Sequence, residues 1–168
     1  MPMTLPVPIE FRLPEGWLPA APPDGVDVPD VAFAAVRPHP DAGFSANITI
    51  SGEVPPPEVT LPELADASAR RLGEAVGPVA VDFRREVGSA DAPALTQRLT
   101  FSGIVGDTPH DLVQSQVFLT FADVRDPHRR AVIRLSLTAT AAQHDEVIGD
   151  FQDFVRTVRP DPDAGAGA

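Results

Sequence analysis

Ala131-Val-Ile-Arg-Leu-Ser-Leu-Thr-Ala-Thr-Ala-Ala-Gln-His-Asp-Glu-Val-Ile-Gly-Asp-Phe-Gln-Asp-Phe-Val-Arg-Thr-Val-Arg-Pro160 is the stretch that decides the fold. It opens with alternation. Ala131, Ile133, Leu135 and Leu137 fall on one side, and Arg134, Ser136 and Thr138 on the other, which predicts a half-buried strand over Ala131–Thr138. The period then changes. Thr140 and Gln143 have the spacing of a helix capping box. Val147, Ile148, Phe151, Phe154, Val155 and Val158 recur at helical spacing until Pro160 closes the helix. A strand feeding an amphipathic helix, each with one apolar side, calls for two layers around a shared core.

Upstream of this stretch lie three more strand candidates, Ala80–Val87, Ala94–Ile104 and Asp111–Phe121. Their connections are short and polar, so an antiparallel meander is the simplest topology. Val113, Val117, Leu119 and Phe121 make one face of the third. Leu112, Phe118 and Val132 are apolar on the opposite parity, which a sheet partly covered on both sides would explain. Before the meander comes a helix. Thr60 is its cap, with Glu63 completing a second capping box. Leu61, Leu64, Ala65, Ser68, Leu72, Ala75 and Val76 share its apolar face, and Gly77-Pro78 ends it.

The first third is punctuated by proline and glycine. Ile9–Leu13 is a short strand candidate running into the turn Pro14-Glu-Gly-Trp17, where Gly16 can take a positive φ. Pro19–Asp30 reads as an irregular surface loop. Val31–Val36 and Phe44–Ser51 are strands joined through Arg37–Gly43. Phe44, Ala46, Ile48 and Ile50 share a parity. The order is two or three strands, a helix, four strands and a helix. It predicts an α+β domain, with an antiparallel sheet of about six to seven strands flanked by two main helices, one on each face or both packed near one end. That domain spans residues 1–160, and the acidic, glycine-rich stretch 161–168 is expected to be a disordered tail.

Composition narrows the function. At 168 residues the chain can bury a substantial core without a disulfide or metal. The N-terminal segment lacks the basic and apolar regions of a signal peptide, and no run approaches a membrane span. With no cysteine, the expectation is a cytoplasmic protein that does not insert into membranes. A net charge of −11 disfavours nucleic-acid binding. The densest basic cluster, Arg125, Arg129 and Arg130, is interleaved with Asp123 and Asp126 and reads as a solvated loop. All thirteen basic residues are arginine, as in the proteins of GC-rich bacterial genomes.

Phe11-Arg-Leu-Pro-Glu-Gly-Trp17 and Phe44-Ser-Ala-Asn-Ile-Thr-Ile50, with this element order and a closing amphipathic helix, resemble the PsbP-like superfamily. Its bacterial branches include LpqN-type lipoproteins and DcrB-like proteins. Other members are a photosystem II extrinsic subunit, a Ran-binding nuclear import factor and chaperones for type VI secretion effectors. The resemblance spans Ile9 to Pro160. It implies an α/β/α sandwich and a role in binding proteins, without a shared catalytic residue set. The sequence departs from the lipoprotein branch in lacking a lipidation cysteine.

Three residues of the resembling stretches are candidates for partner or ligand contact: Trp17, Phe44 and Asn47. The first reading of Trp17 is structural, an amphipathic ring that caps the core beside its turn. The first reading of Asn47, the only asparagine, is a side-chain hydrogen bond to a neighbouring loop, and the second a polar contact in a ligand groove.

Catalytic patterns are not found. His39, His110, His128 and His144 form neither H-x-H nor H-E-x-x-H, so no metal site is expected. There is no G-x-S-x-G, no phosphate-binding glycine loop, no lysine and no tyrosine. No catalytic residue or cofactor is assigned. The leading expectation is a non-catalytic protein-binding module, adaptor or chaperone-like, with another protein as partner. The alternative is small-molecule binding or hydrolysis in a cleft between sheet and helix, around Asn47, Gln97, Gln114 and Gln116. A third reading is self-association through an open sheet edge.

Overall fold

The computed structural model describes residues 9–20, 31–40, 43–89, 92–105, 108–122 and 130–160. The long strands of the meander are β5 (Val79–Gly88), β6 (Pro93–Val105), β7 (Thr108–Ala122) and β8 (Arg130–Thr140). They join β2 (Leu18–Ala20), β3 (Val31–Val36) and β4 (Asn47–Glu53) in one seven-stranded sheet of order β2-β3-β4-β8-β7-β6-β5, antiparallel throughout. The deciding stretch supplies the central strand. Leu135 pairs with Ile50 of β4 and with Val117 of β7, and directly paired residues lie on the same face.

That pairing sorts the sheet into two faces. On one, Ile48, Ile50, Ile133, Leu135 and Leu137 pack against Val147, Phe151 and Phe154 of α2 (Ala141–Thr157). Phe11 extends this core, with its ring centroid 5.0 Å from Phe33 and 5.6 Å from Phe154, both edge-on. On the other face Leu95, Phe118 and Val132 pack against Leu61, Leu64 and Ala65 of α1 (Leu61–Val76). A helix therefore covers each face, which is why β7 and β8 carry apolar residues at both parities. Each fully buried aliphatic side chain contributes about 1.5–3 kcal/mol relative to exposure.

Helix starts follow the capping chemistry unequally. At α2 the Thr140 hydroxyl accepts from the Gln143 N–H, and the Gln143 amide oxygen accepts from the Thr140 N–H, a complete reciprocal box. At α1 the Thr60 hydroxyl accepts from the Glu63 N–H, but the Glu63 carboxylate takes the hydroxyl hydrogen rather than the Thr60 N–H. The expected second box is half formed.

Three elements differ from expectation. The strand expected over Ile9–Leu13 shrinks to β1 (Ile9–Glu10), which pairs with β9 (Arg159–Pro160) as a separate two-stranded clasp. β2 emerges where only a loop was expected, and Pro19 is tolerated there because β2 is an edge strand. At the end of α1, Ala75 and Val76, expected on its apolar face, are exposed. Gly16 does take a positive φ, 90°, in the turn closed by the Trp17 N–H to the Pro14 carbonyl. The segment 21–30, most of the arginine cluster, His128 and the tail 161–168 lie outside the described residues.

Candidate functional site

The two edges of the sheet are built differently. β2 is three residues long and carries a proline, which removes a ladder donor and blunts the edge. β5 is ten residues long with no proline. Among the described residues it is bonded to β6 on one side only, so every second N–H and C=O points away from the sheet. A bulge interrupts the β5–β6 register between Val81 and Phe83. Beyond it, Arg84 to Gly88 pair regularly with Gln97 to Pro93.

Large apolar side chains are exposed along this edge. Val81, Phe83 and Val87 are 46%, 47% and 39% exposed. Phe83, Arg85 and Val87 pair with Arg98, Thr96 and Ala94, which places them on the α2 face of the sheet. There α2 lies over β7 and β8 and leaves β5 uncovered. Ile104, at the far end of β6, is also exposed.

Charges in this strip are mostly consumed internally. Arg98 pairs with Asp82 at 2.8 Å. Arg84 reaches the other face, where its Nε and Nη2 both donate to the Gln97 amide oxygen and its Nη1 bonds Asp66 at 2.7 Å. Arg85 is exposed and makes no ion pair among the described residues. The strip therefore offers open backbone groups, two apolar side chains and one available cation.

Behind the edge the α1 face holds an amide ladder. The Gln97 side-chain N–H donates to Gln116 at 2.7 Å and to the Ala65 carbonyl. Gln116 donates to Ser68 and Gln114, and Gln114 donates to Thr138. Thr138 is the neighbour of Asn47 across β4 and β8. The four polar residues grouped from the sequence thus share one face, but Gln97 and Gln116 are filled in beneath α1 and bonded to each other.

Trp17 is buried at 5% exposure in the α2-side core, and its indole N–H donates to the Asp150 carboxylate at 3.1 Å. Phe44 is half-buried, and its carbonyl accepts from the Gln143 side chain at 2.8 Å. Asn47 is half-buried on the α1 face and donates to the Ser45 carbonyl at 3.3 Å. The structure does not bring these three together. Trp17 and Asn47 lie on opposite faces.

One close pair escaped the sequence. His144 Nε2 lies 2.7 Å from Ser115 Oγ, with both residues buried. Burial lowers the histidine below its ordinary value, Arg98 lowers it further, and Asp145 opposes them. The arrangement pairs a hydroxyl with a base, but it lies under the surface as a tie between the first turn of α2 and β7. Among the described residues no three His, Asp or Glu side chains converge, and no helix is long and apolar enough to cross a membrane.

No family model matches the chain, and no curated protein matches it. Solved structures do. LpqN of Mycobacterium tuberculosis, involved in cell envelope biogenesis, aligns with TM-score 0.62 and 12% identity over 92% of this chain and 86% of its own. The cyanobacterial PsbP of Synechocystis aligns with TM-score 0.60 and 15% identity over 91% and 86%. This chain has the PsbP-like fold. A third structure, the Ran-binding protein Mog1p of Saccharomyces cerevisiae, shares that fold at TM-score 0.58 and 16% identity over 90% and 89%. The TM-scores support the fold, while the identities are too low to carry over any residue's role.

Proposed function

We propose that the chain is a non-catalytic protein-binding module, adaptor or chaperone-like, acting in the cytoplasm. The observation that carries the reading is the β5 edge: a long strand without proline, unpaired on one side among the described residues, with Phe83 and Val87 exposed on a face that α2 does not cover. Edges of this kind are normally short or blocked in proteins that stay single, and the β2 edge of this sheet is both. Mog1p, which has the same fold, is Ran-binding by name, so the architecture is compatible with engaging another protein.

The test is a photoreactive residue placed at Phe83 in the full chain and irradiated in the native cell. A single heterologous adduct is expected, absent when the residue is placed on the α1 surface at Glu74. Equal labelling at both positions, or none at Phe83, overturns the proposal. Cell fractionation of the tagged chain checks the compartment: recovery with the membranes or envelope rather than the soluble cytoplasm would overturn that part.

A further inference from the structure

The identity of the partner's docking segment can be argued from the β5 edge. A strand added to it antiparallel places its side chains directly opposite those of β5 and on the same faces. On the α2 face it would meet Phe83, Arg85 and Val87, two apolar side chains with a cation between them that has no ion pair among the described residues. On the α1 face it would meet Glu86, which disfavours an acid there, and Arg84, whose guanidinium is already held by Gln97 and Asp66.

A second copy of this chain fits poorly. Face-matched antiparallel pairing of two β5 strands must be symmetric about one residue. Symmetry about Arg85 sets that arginine against its own copy, symmetry about Glu86 does the same with that acid, and symmetry about Arg84 draws the bulge at Asp82 into the pairing. Symmetry about Phe83 runs the bulge through the centre of the pairing. Each copy also carries a net charge of −11, and like charges directly opposite are destabilising.

Resting on the docking reading above, we propose that the partner contributes an extended segment that adds to β5 as an eighth strand. It carries an acidic side chain opposite Arg85, with apolar side chains two residues away on either side, facing Phe83 and Val87. Main-chain hydrogen bonds supply the affinity of such an addition, and the alternate side chains supply its selectivity.

The probe is a labelled peptide, Thr-Val-Thr-Glu-Thr-Val-Thr, titrated with the full chain and followed by fluorescence anisotropy. Saturable binding is expected, about tenfold weaker for Arg85→Glu because an attractive cross-strand pair becomes a repulsive one. A lysine-centred peptide should reverse that preference, binding the variant about tenfold better than the parent. Arg85 is exposed, so circular dichroism of the variant should match the parent. N-methylation of alternate peptide nitrogens should abolish binding in one of its two frames only. Binding that survives both frames, or equal affinity for both peptides, overturns the proposal, as does no binding. A Phe83 adduct in cells with no peptide binding leaves the docking reading standing and removes only the extended acidic segment. An adduct between two copies of the chain removes the heterologous partner.

Discussion

The His144 imidazole sits 2.7 Å from Ser115 Oγ, beneath the first turn of α2 and beside the strand position of Arg98. Its pKa is held below 6.5 first by burial and then by Arg98, with Asp145 acting the other way. The unfolded chain therefore binds this proton more readily than the folded one. Stability from the neutral imidazole is fully present above pH 6.5 and falls as the pH drops towards the lowered folded value. Urea midpoints measured at pH 7.5 and pH 5 should show a loss in the parent. The loss should shrink in His144→Gln, which cannot take up the proton. An equal loss in both would assign acid sensitivity to other groups.

Trp17 is the only tryptophan, so its emission reports directly on its surroundings. Asp150→Ala should cost about 1–3 kcal/mol, since the buried indole N–H loses its carboxylate acceptor, and the emission should shift. Trp17→Ala should cost about 3–5 kcal/mol, as for other large aromatic truncations in a packed core. Chemical denaturation of the two variants checks both values.

The amide ladder should be intolerant of gaps. Gln97→Ala removes the acceptor of two Arg84 donors and the donor to Gln116 and Ala65 together. A loss of about 1–3 kcal/mol is expected, the cost of leaving buried polar groups unpaired. Hydrogen exchange should show the loss concentrated in β5 and β6. Uniform acceleration over the whole sheet would contradict a local network.

Gly88 closes β5 with a φ of 85°, and a Cβ built there would stand 2.4 Å from the Ala92 carbonyl oxygen. Both the left-handed backbone and the contact with main chain oppose a side chain. Gly88→Ala should destabilise the β5–β6 hairpin by about 1–3 kcal/mol. The amide resonances of Arg84 to Val87 should move most. Gly16, at a φ of 90° but with nothing within 4 Å of a built Cβ, should tolerate alanine better.

The sheet and both helices were legible because their apolar residues keep period. Leu135 and Phe151 sit on strict alternation and strict helical spacing, and both are buried where the pattern puts them. Gln114 and Gln116 share a parity within β7, but only the β6–β7 register puts Gln97 on their face. Other features left no local trace. β2 holds Leu18 and Pro19 because β3 offers partners, and nothing in three residues announces that. The Ser115–His144 tie joins positions 29 apart, and only the β7–β8–α2 geometry brings them together. The open β5 edge was equally hidden, since Phe83 and Val87 look like core residues until strand order shows that α2 lies elsewhere.

The clasp of β1 on β9 has a mechanical meaning. Ile9 faces Pro160 and Glu10 faces Arg159, so the outermost pair lies nearest both ends of the described chain. Tension applied through those ends would open this clasp as a zipper, one pair at a time, rather than shear it all at once. The Arg12–Thr157 hydrogen bonds behind it would be next in line. Under load the chain would yield first at this latch, leaving the seven-stranded sheet whole.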